Sequence, residues 1–145
     1  MIAQIIIVFL FTFSKLLPSN DIWSKLLDSI KNKTIIIPEN GTHFIYDEKN
    51  YLKEDINSAK MQILYKMQND IFNVRNVPNY IFFVENIDES KQDLAKVAEN
   101  LLYSVSNKFK VNSTKTIVVL FSMTSHRIRI QPGINILNKF KKIQQ

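Results

Sequence analysis

Thr116-Ile-Val-Val-Leu-Phe-Ser-Met-Thr-Ser-His-Arg-Ile-Arg-Ile-Gln-Pro-Gly133 is the stretch that decides the fold. From Ile117 to Phe121 it is wholly apolar, largely β-branched and too short for a helix. That pattern reads as a strand buried on both faces. Ser122 to Ser125 turn the chain, and His126 to Gln131 then alternate polar and apolar with period two. Such alternation puts Ile128 and Ile130 on one face and Arg127 and Arg129 on the other, until Pro132-Gly133 stops the strand. The short turn between the two segments implies antiparallel pairing at a sheet edge.

Working outward, Tyr80-Ile-Phe-Phe-Val84 is a second all-apolar strand. Between the two lies a helical pattern from about Lys91 to Ser106, with Leu94, Val97, Ala98, Leu101, Leu102 and Val105 on one stripe. Ser90-Lys-Gln-Asp93 resembles a capping box for its opening turn. Before Tyr80, Leu52 to Ile71 reads as the clearest helix, with Leu52, Ile56, Ala59, Ile63, Met67 and Ile71 expected to line the buried face. Asp21 to Ile30 reads as an amphipathic helix with Ile22, Trp23, Leu26, Leu27 and Ile30 together. Thr34 to Ile37 is a short β-branched run, and Thr42 to Tyr46, after the turn signal Asn40-Gly41, is an extended segment. The expected order is β-α-β-α-β-β. Apolar strands alternating with amphipathic helices predict an α/β fold, a Rossmann-like three-layer sandwich whose sheet is mainly parallel with an antiparallel edge strand.

At 145 residues the chain suits one domain. Without cysteine it has no disulfide framework, thiolate metal site or cysteine nucleophile. Two glycines are too few for a nucleotide-binding glycine loop. The net charge of +6 is unevenly spread, because residues 100–145 carry eight Lys and Arg and no acid, while all thirteen acids precede them. A one-sign region favours anionic partners: nucleic acid, lipid headgroups or an acidic protein. Nucleic acid is not expected, since the basic residues are not interleaved with stacking aromatics. Lys139 to Gln145 reads as a frayed basic tail.

Met1 to Phe13 is an uncharged run broken only by Gln4 and Thr12, with the length of a secretory h-region. Ser14 to Asn20 would be its processing zone. The expected organisation is residues 1–19 as signal peptide or short anchor, 20–41 as helix and linker, 42–133 as the main domain and 134–145 as tail. Sequons at Asn32, Asn40 and Asn112 suit glycosylation in a secretory, extracellular or organelle lumen. Any membrane attachment is expected through the N-terminal segment.

From about Phe44 to Gly133 the chain resembles the TPM domain family. Its members include thylakoid lumen acid phosphatase-like proteins, photosystem II repair factors, bacterial exported proteins and nematode modulators of the levamisole receptor. The resemblance is carried by Ile45-Tyr46-Asp47 before the first long helix, by Tyr80–Val84, and by Asn86-Ile-Asp88 leading into an Ala- and Leu-rich helix. It is carried further by the hydrophobic strand, turn, Arg-x-Arg-Ile strand and glycine of the opening quotation. Thr116 stands where the family usually has glycine, Glu48 where it has a small residue, and the family continues for several helices past the glycine. Absent helices would leave apolar sheet surface uncovered. The resemblance implies an exported accessory module bound to a membrane-associated complex, or alternatively a metal-dependent acid phosphatase.

In open α/β sheets ligands gather at the carboxyl ends of parallel strands. Asp47 and Asp88 fall there, with Glu48 and Glu85 near, as candidate oxygen ligands for calcium. Those places equally suit turn and cap carboxylates. Arg127 and Arg129 are candidates for an anion or acidic partner, or simply for guarding an edge strand. His43 and His126 are expected at the surface, and no residue set qualifies as catalytic.

Overall fold

The computed structural model describes residues 20–32, 35, 37–55, 57–87 and 93–144. The elements are helix α1 (Asn20–Lys31), strand β1 (His43–Asp47), helix α2 (Ala59–Arg75) and strand β2 (Asn79–Val84). They continue with helix α3 (Leu94–Phe109), a 3₁₀ turn (Ser113–Lys115), strands β3 (Ile117–Ser122) and β4 (Arg127–Pro132), and helix α4 (Ile134–Ile143). The single sheet runs β1-β2-β3-β4, with the first three strands parallel and β4 antiparallel to β3. This is the α/β class and edge arrangement expected from the sequence. Among the described residues, no helix is long and apolar enough to cross a membrane. The apolar run at the start of the chain lies outside the described residues.

Register divides the strand side chains between two faces. Phe44, Tyr80 and Val118 align across the sheet, as do Tyr46, Phe82 and Leu120, and all six are buried. Onto this face pack α1, through Ile22 and Leu26, and α3, through Leu94, Val97, Ala98, Leu101, Leu102 and Val105. The aromatic rings meet edge-on and tilted, with Phe44 centred 4.8 Å from Tyr80 and 5.6 Å from Phe82, separations at which the ring quadrupoles attract. Ile35 joins this core and Ile37 packs on it, yet neither lies in a strand, while Thr34 and Ile36 lie outside the described residues.

The opposite face is covered by α2, which packs over β1 and β2. This helix begins at Ala59, not Leu52. Both carboxylate oxygens of Asp47 accept backbone N–H groups, from Tyr51 at 2.8 Å and Leu52 at 2.9 Å, and so hold a turn there. Asn50 and Lys53 have positive φ, which breaks any helix through them. Ser58 supplies the N-cap, accepting from Met61 N. The buried side of α2 also differs from the expectation. Ile63, Met67 and Ile71 are exposed, whereas Met61 and Gln68 are buried and Leu64, Tyr65 and Phe72 are half-buried. Ile56 lies outside the described residues.

Gln68 decides that choice. Its Nε2 donates to Phe44 O at 3.0 Å and Asn79 O at 3.3 Å, while Asn79 Nδ2 donates back to Gln68 O at 3.0 Å. These bonds favour this helix rotation, since breaking them would leave buried groups unpaired, although Gln68 Oε1 is itself buried without a partner among the described residues. Helix α3 opens at Leu94 with Asp93 as its N-cap; Ser90, expected in that role, lies outside the described residues.

Over β3 and β4 the second face is open among the described residues. Phe83 and Phe121 stack there, centroids 4.5 Å apart, and Ile128 and Ile130 lie about 60% exposed. Residues 134–143, expected within a basic tail that frays from Lys139, instead form α4. Gly133 provides its start: a Cβ there would overlap Ser113 O and lie 2.5 Å from Thr114 O, so only glycine fits against the 3₁₀ turn.

Candidate functional site

The parallel strands end at Asp47, Val84 and Ser122, and a cleft of about 450 Å³ opens beside the first of these ends. Asp47 reaches it, but both its oxygens bond the following loop. Glu48 is equally engaged, with Oε1 2.7 Å from Lys25 Nζ and Oε2 accepting Glu85 N at 2.6 Å. Glu85 in turn pairs with Lys49, and Glu54 with Lys60 at 3.0 Å. The Lys60 ammonium, then the Ser58 hydroxyl, hold the Glu54 carboxyl below the usual carboxylate range. Among the described residues no cluster of three or more metal-ligating side chains forms. Asp88 lies outside the described residues. The arrangement at this end closes a loop and cross-links two strand ends.

Arg127 and Arg129 lie on β4, opposite Ser122 and Leu120. They share the face that carries α3, and Ile128 and Ile130 occupy the other. The strand is an edge, with four consecutive exposed residues from Arg127 to Ile130. Arg129 reaches the Gln131 side chain at 3.4 Å. The two guanidinium groups are near the carboxyl ends of the parallel strands, away from the rest of the basic residues described next.

At the amino ends of β2 and β3 lies a different site. Arg75 is the last residue of α2, Lys115 closes the 3₁₀ turn before β3, and Lys139 and Lys142 lie three apart on α4. These four cations, with Asn135 and Asn138, line a cleft of about 370 Å³ that has no carboxylate among the described residues. Local chemistry fixes each part. Asn76 ends α2 in the left-handed conformation, its N–H bonded to Phe72 O, just after Arg75. Asn112 caps the 3₁₀ turn, accepting from Thr114 N and Oγ1 at 3.0 and 2.7 Å. Asn135 Nδ2 donates to Thr114 Oγ1 at 3.1 Å and ties α4 to that turn. Among the described residues none of the four cations has an acidic partner.

The acid-free stretch over residues 100–145 foreshadowed Lys115, Lys139 and Lys142. Arg75 gave no signal, because forty residues separate it from Lys115 and only the fold joins them. Among the sequons, Asn32 and Asn40 are exposed, as is Asn112. Thr42, the hydroxyl residue of the second, is buried and donates to Asn40 Oδ1 at 3.0 Å. His43, expected at the surface, is buried, its Nδ1 2.9 Å from Thr42 Oγ1. Burial lowers its pKa below the ordinary imidazole value, since the charged form loses water. His126 is exposed, in the turn before β4 with φ of 53°.

Compared with family models, curated proteins and solved structures, the chain matches none.

Proposed function

We propose that this chain is an exported, TPM-like accessory module that binds an acidic protein of a membrane-associated complex. The observation that carries this reading is the β4 edge. It offers a cationic row, Arg127 and Arg129, and on its other face an apolar row, Ile128 and Ile130, that continues into Phe121 and Phe83. An exposed strand edge pairs readily with an extended segment of another chain. A partner strand with carboxylates at every second position would meet the guanidinium forks on one side and bury apolar side chains on the other. A second copy of β4 fits less well, because like charges opposite one another repel.

The alternative, a metal-dependent acid phosphatase, needs a nucleophile or metal-bound water with charge stabilisation at phosphoryl oxygens. It draws less support, since Asp47 and Glu48 already hold backbone and lysine partners. The two readings part in one pair of experiments. Immobilised full-length chain should retain an acidic membrane-fraction protein that salt releases, and Arg127→Ala with Arg129→Ala should abolish retention. Hydrolysis of p-nitrophenyl phosphate that disappears in Asp47→Ala or Asp88→Ala would favour the enzyme instead.

A further inference from the structure

We infer that the cleft at the amino ends of β2 and β3 is a binding site for a small soluble polyphosphate, with Arg75, Lys115, Lys139 and Lys142 holding its phosphoryl oxygens. Cations from three elements line this one concavity, and no carboxylate does so among the described residues. Elsewhere in the fold, lysines have acids beside them. Lys25 pairs with Glu48, Lys49 with Glu85, Lys60 with Glu54, Lys66 with Asp70 and Lys96 with Glu99. Cations gathered without acids repel one another, and a concave wall focuses their field on an anion that enters.

The last helix is arranged for this. Asn135, Asn138, Lys139 and Lys142 have the spacing i, i+3, i+4, i+7 and so share one face of α4. All four line the cleft. Ile136 is buried on the same helix, and Asn135 Nδ2 donates to Thr114 Oγ1 at 3.1 Å, within the 3₁₀ turn that carries Lys115. The elements that bear the cations are therefore in place before a ligand arrives, so less ordering opposes binding.

Charge and lining narrow the ligand. A phosphoryl group carries about −1.5 to −2 at neutral pH, so four cations match roughly two or three such groups and not one. The Arg75 guanidinium is a fork suited to two oxygens of one phosphoryl group, and the ammonium groups act as point charges on the others. Among the described residues no aromatic side chain lines the cleft. A nucleotide base or a single nucleic-acid strand would find no stacking platform there. The ligand is therefore compact and non-aromatic. This cleft is distinct from the β4 edge, so it stands whether or not an acidic protein binds there.

Titration calorimetry of the full-length chain tests the inference, with tripolyphosphate, orthophosphate and a hexaglutamate peptide as probes in metal-free buffer. Tripolyphosphate should bind one to one, at least about tenfold more tightly than either other probe, and weaken as salt is added. Lys139→Gln with Lys142→Gln should weaken it about tenfold or more, as loss of charge-assisted bonds implies. Arg75→Gln, on a different element, should do the same and carries the test alone if the double variant folds poorly. Lys141→Gln removes the same kind of charge from α4 outside the cleft lining and should leave affinity unchanged. Arg127→Ala with Arg129→Ala should also leave it unchanged, which separates failure here from failure of the accessory-module reading. Equal affinity for tripolyphosphate and orthophosphate overturns the inference, as does a loss in Lys141→Gln matching that in Arg75→Gln, the mark of diffuse attraction. Hexaglutamate binding as tightly as tripolyphosphate also overturns it and would assign the cleft to an acidic peptide.

Discussion

The acids at one end of the sheet and the cations at the other are treated in opposite ways. At the carboxyl ends of β1 and β2 the acids are consumed: Asp47 by two backbone N–H groups, Glu48 by Lys25 and Glu85 N, Glu85 by Lys49. At the amino ends, Arg75, Lys115, Lys139 and Lys142 line one cleft with no carboxylate among the described residues. Charge satisfied within the fold contributes to stability, whereas like charge gathered at a surface costs a little and gains from a partner. The acids after β1 and β2 are therefore read as structural, and the cations at the amino ends as a binding surface.

Substitutions can break or sharpen that contrast. The largest effect is expected from Gly133→Ala, whose methyl group would press on Ser113 O and Thr114 O. Relief requires α4 to shift from the 3₁₀ turn, at a cost of about 3 kcal/mol by analogy with overpacked sites, measured by urea unfolding.

Next comes Asp47→Ala, which strips an ionised acceptor from two N–H groups and should cost about 2 kcal/mol. Asp47→Asn, keeping one acceptor oxygen, should cost roughly half as much by the same reasoning. The contrast breaks if millimolar calcium raises the thermal midpoint of the unaltered chain and fails to do so in Asp47→Ala, for the carboxylate would then serve a ligand.

His43 gives a smaller, pH-dependent effect. Its folded pKa is depressed, so the unfolded chain binds the proton more readily. Stability should be full above the ordinary imidazole value of about 6.5 and decline as pH falls from there toward the lowered folded value. His43→Gln should flatten that part of a stability–pH profile. A decline of the same size in the variant would assign it to other groups.

The smallest effect belongs to the basic end. Lys139→Gln or Lys142→Gln should change unfolding free energy by no more than about 0.5 kcal/mol, as for surface positions free of packing or caps. A loss as large as that of Asp47→Ala would show the lysines to be structural and erase the difference between the two ends.

Much of the fold was legible because its signals are local. Ile117–Phe121 and Tyr80–Val84 declare themselves as strands by unbroken hydrophobicity, and Arg127 to Gln131 by alternation. The stripe of α3 is buried as its spacing foretells. The helix before β2 was harder, since its sequence holds two apolar stripes. Ile63, Met67 and Ile71 make one, Met61, Leu64, Tyr65 and Phe72 the other, and periodicity cannot rank them. Gln68 tips the choice, through hydrogen bonds to backbone atoms 24 and 11 residues away. At the candidate sites, Asp47 and the two arginines of β4 were visible as residue types at strand ends. Whether Asp47 was spoken for was not, because its partners depend on the path of the loop after it.

The amino-acid sequence by itself determined the strands, their order and the antiparallel turn at the edge, because hydrophobic period and turn chemistry act over a few residues. It also determined that the second half would be basic. Only the tertiary structure decided which side of α2 is buried, that His43 sits inside, that residues 134–143 form a helix, and that Arg75 joins three distant lysines. Those outcomes depend on which surfaces meet when the elements pack, and contacts between residues far apart in the chain leave no periodic trace along it.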